Sequence, residues 1–299
     1  MTVEPEQAPS TSDAAWTIRR IIDWTTTYLQ SHGSDAPRLE AEILLAHARN
    51  CPRINLYTHI DELLSDTERS TMRELVRRRA QSEPVAYLVG HREFFGLEFA
   101  VTPDVLIPRP DTETLVVALL EMVKAYTQPR ILDVGTGSGC IAIAAAVNSP
   151  VAEVTAIDVS EAALGLARSN AERHGILDRL RFLAGDLFAP LAPQEMFHVI
   201  ASNPPYVRED EWDTLPKDIR SFEPRGALLC GPDGLEVVRR LVAGAPARLA
   251  EGGHLLVEIS PEQADDVCDL FRAEQQYAEI TVLKDLAGRS RVVHGRRIA

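Results

Sequence analysis

Asn203 closes the apolar run FHVIAS and is followed at once by Pro204, Pro205 and Tyr206. A residue before proline is held away from the right-handed helical region, and prolines carry no N–H. The turn is therefore stiff, and it presents backbone carbonyls and the Asn203 side-chain oxygen as acceptors without competing donors. Such a set suits an incoming –NH2 group whose lone pair is delocalised into a carbonyl or a ring. Two acceptors drawing on its two hydrogens orient the nitrogen toward an electrophile and favour the positive charge that grows on it. Tyr206 adds a ring able to stack on a planar amide or base and exclude water. Taken alone, the stretch is also an ordinary strand end with a proline turn, so its company decides.

That company begins with ILDVGTGSGC, which sets Asp133, Gly135, Thr136, Gly137, Ser138 and Gly139 between an apolar strand and a helix of small residues. Glycine here lets backbone approach a ligand closely, and the helix N–H groups can face a polar group. A glycine alternation is also a tight turn, but the next strand, VTAID, ends in Asp158, where a carboxylate can accept both hydroxyls of a ribose. The order GTGSG in place of GxGxxG gives less support to a pyrophosphate. Asp133 inside the loop can instead answer a cationic amino group, and S-adenosylmethionine carries one beside its sulfonium. The third strand, FLAGD, ends in Asp186, suited to an adenine amino group or to capping a turn, with Leu187 and Phe188 as an apolar wall.

The elements that must position these residues follow from periodicity. From Arg130 onward short apolar strands alternate with helical segments, the rhythm of a mostly parallel sheet covered on both faces. The last two strand candidates, on either side of Leu286, Ala287 and Gly288, form a hairpin at one end of that sheet. Residues 16–82 read as a small helical domain. Ser65 and Glu68 form a capping box, Asp35 and Pro37 start a helix, and Leu39, Ile43 and Ala46 share its apolar face with Glu40 and Glu42 turned away. Residues 83–105 switch to β-branched and aromatic types broken by Gly90 and Gly96, a hairpin linker between domains. A helix opens near Asp111 or Thr112, capped by a side-chain oxygen, with Glu113 in its first turn. Residues 106–299 form the chemistry domain, and residues 1–15, rich in Pro, Glu, Ser and Thr, are expected to be disordered.

With 31 Lys and Arg against 44 Asp and Glu, the formal charge is -13, which disfavours sequence-independent phosphate binding and hence a stable nucleic-acid partner. Two basic stretches, RELVRRRA and GRSRVVHGRR, are solvated faces or docking surfaces. The polar, acidic N-terminus is no signal peptide and no long apolar run exists, so a cytoplasmic protein with no membrane contact is expected. Cys51, Cys140, Cys230 and Cys268 are scattered, and the histidines have no ligand spacing, so neither disulfide nor metal is implied.

The sequence resembles the HemK/PrmC family, the peptide chain release factor glutamine methyltransferases, over about residues 20 to 297. The resemblance is carried by PVAYLVGHREFFGLEF, LIPRPDTE, DVGTGSGCIAIA, AIDVS, SNPPY, FEPRGALLCGPDGL and DLAGRSRVV. It implies a helical N-terminal substrate-docking domain, a β-hairpin linker and an α/β class I S-adenosylmethionine-dependent methyltransferase domain, Rossmann-like, its seven-stranded sheet ending in an antiparallel strand. The implied activity is methyl transfer to the side-chain amide of the glutamine in the GGQ motif of class 1 release factors. The resemblance puts the Gly135–Gly139 loop and Asp158 on the cofactor. Asn203, Pro204, Pro205 and Tyr206 hold the target glutamine, with Phe94, Arg109 and Glu113 as neighbours of donor or substrate. Leu187 stands where some members have an aromatic residue, and EIS at Glu258–Ser260 where members often have Glu-hydrophobic-Gly. A monomer is expected. The competing readings are a nucleic-acid adenine or guanine amino-methyltransferase, which must flip a base and grip phosphates, and a binding module that has kept the shape without catalysis.

Overall fold

The computed structural model describes residues 15–298, and the chain divides between Val89 and Gly90 into two compact units. The first unit holds α1 (Ile18–Ser31), α2 (Pro37–Ala48), α3 (Ile54–Thr58), α4 (Asp66–Ala80) and α5 (Val85–Val89). Capping oxygens start two of them: Thr17 accepts from the Arg20 N–H, and Ser65 and Glu68 exchange bonds in the expected capping box. Their apolar stripes meet in a core built on Ile18, Ile22, Leu44, Leu45, Leu56 and Met72.

The face of α2 differs from expectation. Its buried residues are Ala41, Glu42, Leu44, Leu45 and Ala46, whereas Leu39 is 43% exposed. Glu42 can turn inward because its carboxylate is paired with Arg38 at 3.1 Å and accepts a hydrogen bond from Tyr57 at 2.6 Å. Ala36 occupies the cap without a side-chain bond, so Pro37 at the first helical position, and not Asp35, marks the start. The segment read as a hairpin linker is also shorter than 83–105, since α5 occupies its first part.

The second unit opens with β1 (His91–Phe94) and β2 (Leu97–Ala100), joined through Phe95 and Gly96, both at positive φ, in the two-residue turn that matches strand twist. A 3-10 turn, Pro110–Thr112, leads into α6 (Glu113–Val123). Then come β3 (Arg130–Val134), α7 (Cys140–Asn148), β4 (Glu153–Asp158), α8 (Glu161–Arg173), β5 (Leu180–Ala184) and β6 (Phe197–Ser202). The chain continues through α9 (Lys217–Phe222), α10 (Glu236–Gly244), β7 (Leu249–Glu258), α11 (Ala264–Ala273), β8 (Tyr277–Lys284) and β9 (Ser290–Arg297).

The seven strands β3 to β9 lie in the order β5-β4-β3-β6-β7-β9-β8. Six run in one direction, and β9 runs antiparallel to both of its neighbours, β7 and β8. Strand period sorts the side chains onto two faces. Ile131, Val199, Ala201, Leu256 and Val292 face one helical layer with Leu115, Leu119 and Ile143. Leu132, Ile200, Leu255, Val257 and Val293 face the other, with Val238, Leu241 and Phe271. Because the chain steps outward from β3 to β5 and returns to β6, the sheet has a switch point between β3 and β6, where open α/β sheets leave a crevice at the carboxyl ends. Among the described residues no helix is long and apolar enough to cross a membrane.

Candidate active site

The crevice holds a cavity of about 330 Å³ lined by the glycine loop, the ends of β4 and β5, the Asn203 turn and the segment before α6. Loop geometry follows from its glycines. Gly135, Gly137 and Gly139 all have positive φ, and a Cβ on Gly139 would lie 2.9 Å from Ile143 Cδ1 and 3.1 Å from Ala167 Cβ. The loop is tied to its neighbours: Asp158 accepts from Gly137 N at 2.8 Å and from Ser160 N at 2.9 Å. Asn170, fully buried, donates to the Ser138 and Ala100 carbonyls and accepts from Ala100 N, joining loop, α8 and hairpin.

Of the residues singled out in the sequence, Gly135, Thr136, Gly137, Ser138, Asp158, Asp186, Leu187, Arg109, Asn203 and Pro205 line the cavity. Gly139 does not; it packs α7 against α8. Asp186 also pairs with Arg240, so its carboxylate is shared. Val159, 70% exposed beside Asp158, supplies an apolar wall that sequence reasoning passed over; an apolar residue just after a strand-end acid is its only signal.

Five other residues named from the sequence lie off the cavity wall. Asp133 is fully buried and off the cavity wall. Its Oδ2 accepts from Thr136 Oγ1 at 2.6 Å and from Ala142 N at 3.2 Å, its Oδ1 has no partner, and burial pushes its carboxyl up to about 7. Phe94 lies in the core, edge-on to Phe99 at 6.1 Å, because the strand pleat turns it inward. Glu113 accepts from Phe95 N at 3.1 Å and so anchors the hairpin turn. Tyr206 lies off the cavity wall; its carbonyl accepts from Gln263 Nε2 at 3.2 Å, and burial raises its hydroxyl's pKa. Pro204 is buried beneath the turn.

The segment before α6 is fastened from several sides. Arg109 pairs with the buried Glu223, which also accepts from Ile107 N, so LIPRPDTE is bound to FEPRGAL. Arg291 bridges Asp111 at 2.8 Å and Asp285 at 3.4 Å. Thr112, expected to cap α6, makes no capping bond. It accepts instead from Asn203 Nδ2 at 3.2 Å and stands beside the carboxylate of Glu258, whose ionised form it favours. That bond holds the Asn203 amide by one Nδ2 hydrogen and leaves Oδ1 without a protein donor among the described residues.

A partly exposed ribose-spaced acid, a loop of positive-φ glycines and an apolar wall around one cavity together fit a nucleoside. An acceptor turn at the switch point, on a seven-stranded sheet with its last strand inserted antiparallel, defines a class I methyltransferase domain. Comparisons agree: residues 20–90 match the model of the PrmC N-terminal domain, and residues 110–219 that of the methyltransferase small domain. The chain is 47% identical over 290 residues to the release factor glutamine methyltransferase of Rhodopirellula baltica, covering 96% of this chain and 98% of that one. It is 43% identical to that of Geobacter sulfurreducens, with 99% of each covered. This chain belongs to the release factor glutamine methyltransferase family. In fold alone it is similar to the hMettl16 catalytic domain (TM-score 0.55, 17% identity, 75% of this chain and 82% of that one).

Proposed function

We propose that this protein transfers a methyl group from S-adenosylmethionine to the side-chain amide nitrogen of the glutamine in the GGQ motif of class 1 release factors. The observation that carries the reading is the Asn203 amide at the switch point, anchored through Nδ2 so that Oδ1 is offered as an acceptor. S-adenosylmethionine supplies an electrophilic methyl group on a sulfonium. Asp158 would take the ribose hydroxyls, while Val159 and Leu187 would face the adenine and Asp186 its amino group. Asn203 Oδ1 and the carbonyls of the proline turn would draw on the two amide hydrogens, lining up the nitrogen and stabilising its growing charge. No strong base is needed, because the proton leaves from a nitrogen made acidic by the transfer.

A GGQ loop is already exposed, whereas a duplex base must be flipped and its phosphates gripped. The formal charge of -13 supports the protein substrate over stable nucleic-acid contact, and in this reading the chain acts as a monomer in the cytoplasm. Residues 16–82 serve as the module that docks the release factor. Incubation with labelled S-adenosylmethionine and either a class 1 release factor or duplex DNA tests the proposal. Label on one release-factor glutamine is expected, and label confined to DNA would overturn it.

A further inference from the structure

Thr112 and Glu258 are both only 1% exposed, and they approach Asn203 from different elements: Thr112 closes the 3-10 turn before α6, and Glu258 is the last residue of β7. Neither lies where it could serve packing alone, since each is a polar group removed from water. Thr112 has one hydroxyl proton. A neighbouring carboxylate can only accept, so Glu258 draws that proton toward itself and leaves the same oxygen to accept from Asn203 Nδ2. We propose that Thr112 and Glu258 are positioning residues that fix the Asn203 amide with its oxygen toward the reacting amide nitrogen. The inference deepens the function proposed above and rests on it.

The alternative arrangement shows what the relay prevents. If Glu258 carried a proton, it would donate to Thr112, freeing the threonine proton for Asn203 Oδ1. The amide would then turn Nδ2 outward, setting donor against donor where the substrate –NH2 must bind, and the acceptor function would be lost. The groups facing Glu258 are Arg109 and Asp111 of the turn, Arg291 of β9, Tyr206 and the Cys140 thiol. Arg291 is committed to Asp111 and Asp285, and Glu258 Oε2 has no hydrogen-bond partner. Burial outweighs the two cations and pushes the Glu258 carboxyl up to about 7. As pH falls through that value the carboxylate gains its proton, so turnover is lost on the acid side and full above it.

The test is steady-state methylation of a purified release factor, with donor affinity measured separately by calorimetry. Thr112→Val should lower kcat about 10- to 100-fold, leave donor Kd unchanged and remove the acid limb between about pH 6 and 8; Thr112→Ser should restore both rate and limb. Glu258→Gln, read in parallel should the valine variant misfold, should also lack the limb. Wild-type kcat in Thr112→Val, or an unaltered limb in either variant, overturns the relay. Absence of release-factor methylation by the wild-type protein instead overturns the function on which it rests.

Discussion

In the proposed reaction Asn203 acts through one oxygen, so Asn203→Ala should cut kcat by about 10²- to 10³-fold, the usual loss when a preorganised polar contact to developing charge is removed. Donor affinity should change far less, and single-turnover methylation against equilibrium donor binding separates the two. Asp133 behaves differently, because its ionised form is opposed by burial. Above its ordinary value of 3.8 the unfolded carboxyl has lost its proton, whereas the folded one keeps it to about 7, so each pH unit in that window removes stability. Asp133→Asn keeps an acceptor for Thr136 and Ala142. It should raise the thermal midpoint at about pH 8 while showing little gain at about pH 4. At this scale the meeting of the Asn203 turn, the loop and Asp158 at one cavity was legible, because it rests on residue type and spacing. Thr112 and Glu258 were not: each reads as an ordinary helix cap or strand end until two distant segments meet.

Elements succeed or fail by local rules. Gly139 caps α7 at φ +83, and any Cβ there meets Ile143 and Ala167. Gly139→Ala should therefore cost about 1–3 kcal/mol from strain and overpacking together, read as a lowered denaturation midpoint. Ser65→Ala removes half of a capping box and should destabilise the first unit by about 1 kcal/mol. The capping box and the two-faced strands were legible because their signals are short-range. The five-residue α5 was not, since a brief apolar run such as VAYLV suits strand and helix alike and only packing arbitrates. For the same reason Leu39 was assigned to a buried face that Glu42 occupies, once Arg38, Arg53 and Tyr57 make a buried carboxylate tolerable.

At the scale of the molecule, the charge of -13 predicts no measurable retention of duplex DNA at about 0.15 M salt; a filter-binding assay checks this. Alternating strands and helices announced the doubly wound sheet, but the order of its strands depends on crossovers that leave no local trace, and the closing strand's antiparallel sense entered by family resemblance.

That closing strand also has a consequence in time. A ribosome delivers β7 about thirty residues before β9, the strand that will cover its open edge and separate it from β8. Until β9 emerges, β7 offers a free row of backbone groups to any passing strand, and Asp111 and Asp285 wait for the Arg291 that bridges them. Chains arrested in that interval should associate with one another and stay inactive, so the enzyme's readiness waits on the arrival of one strand.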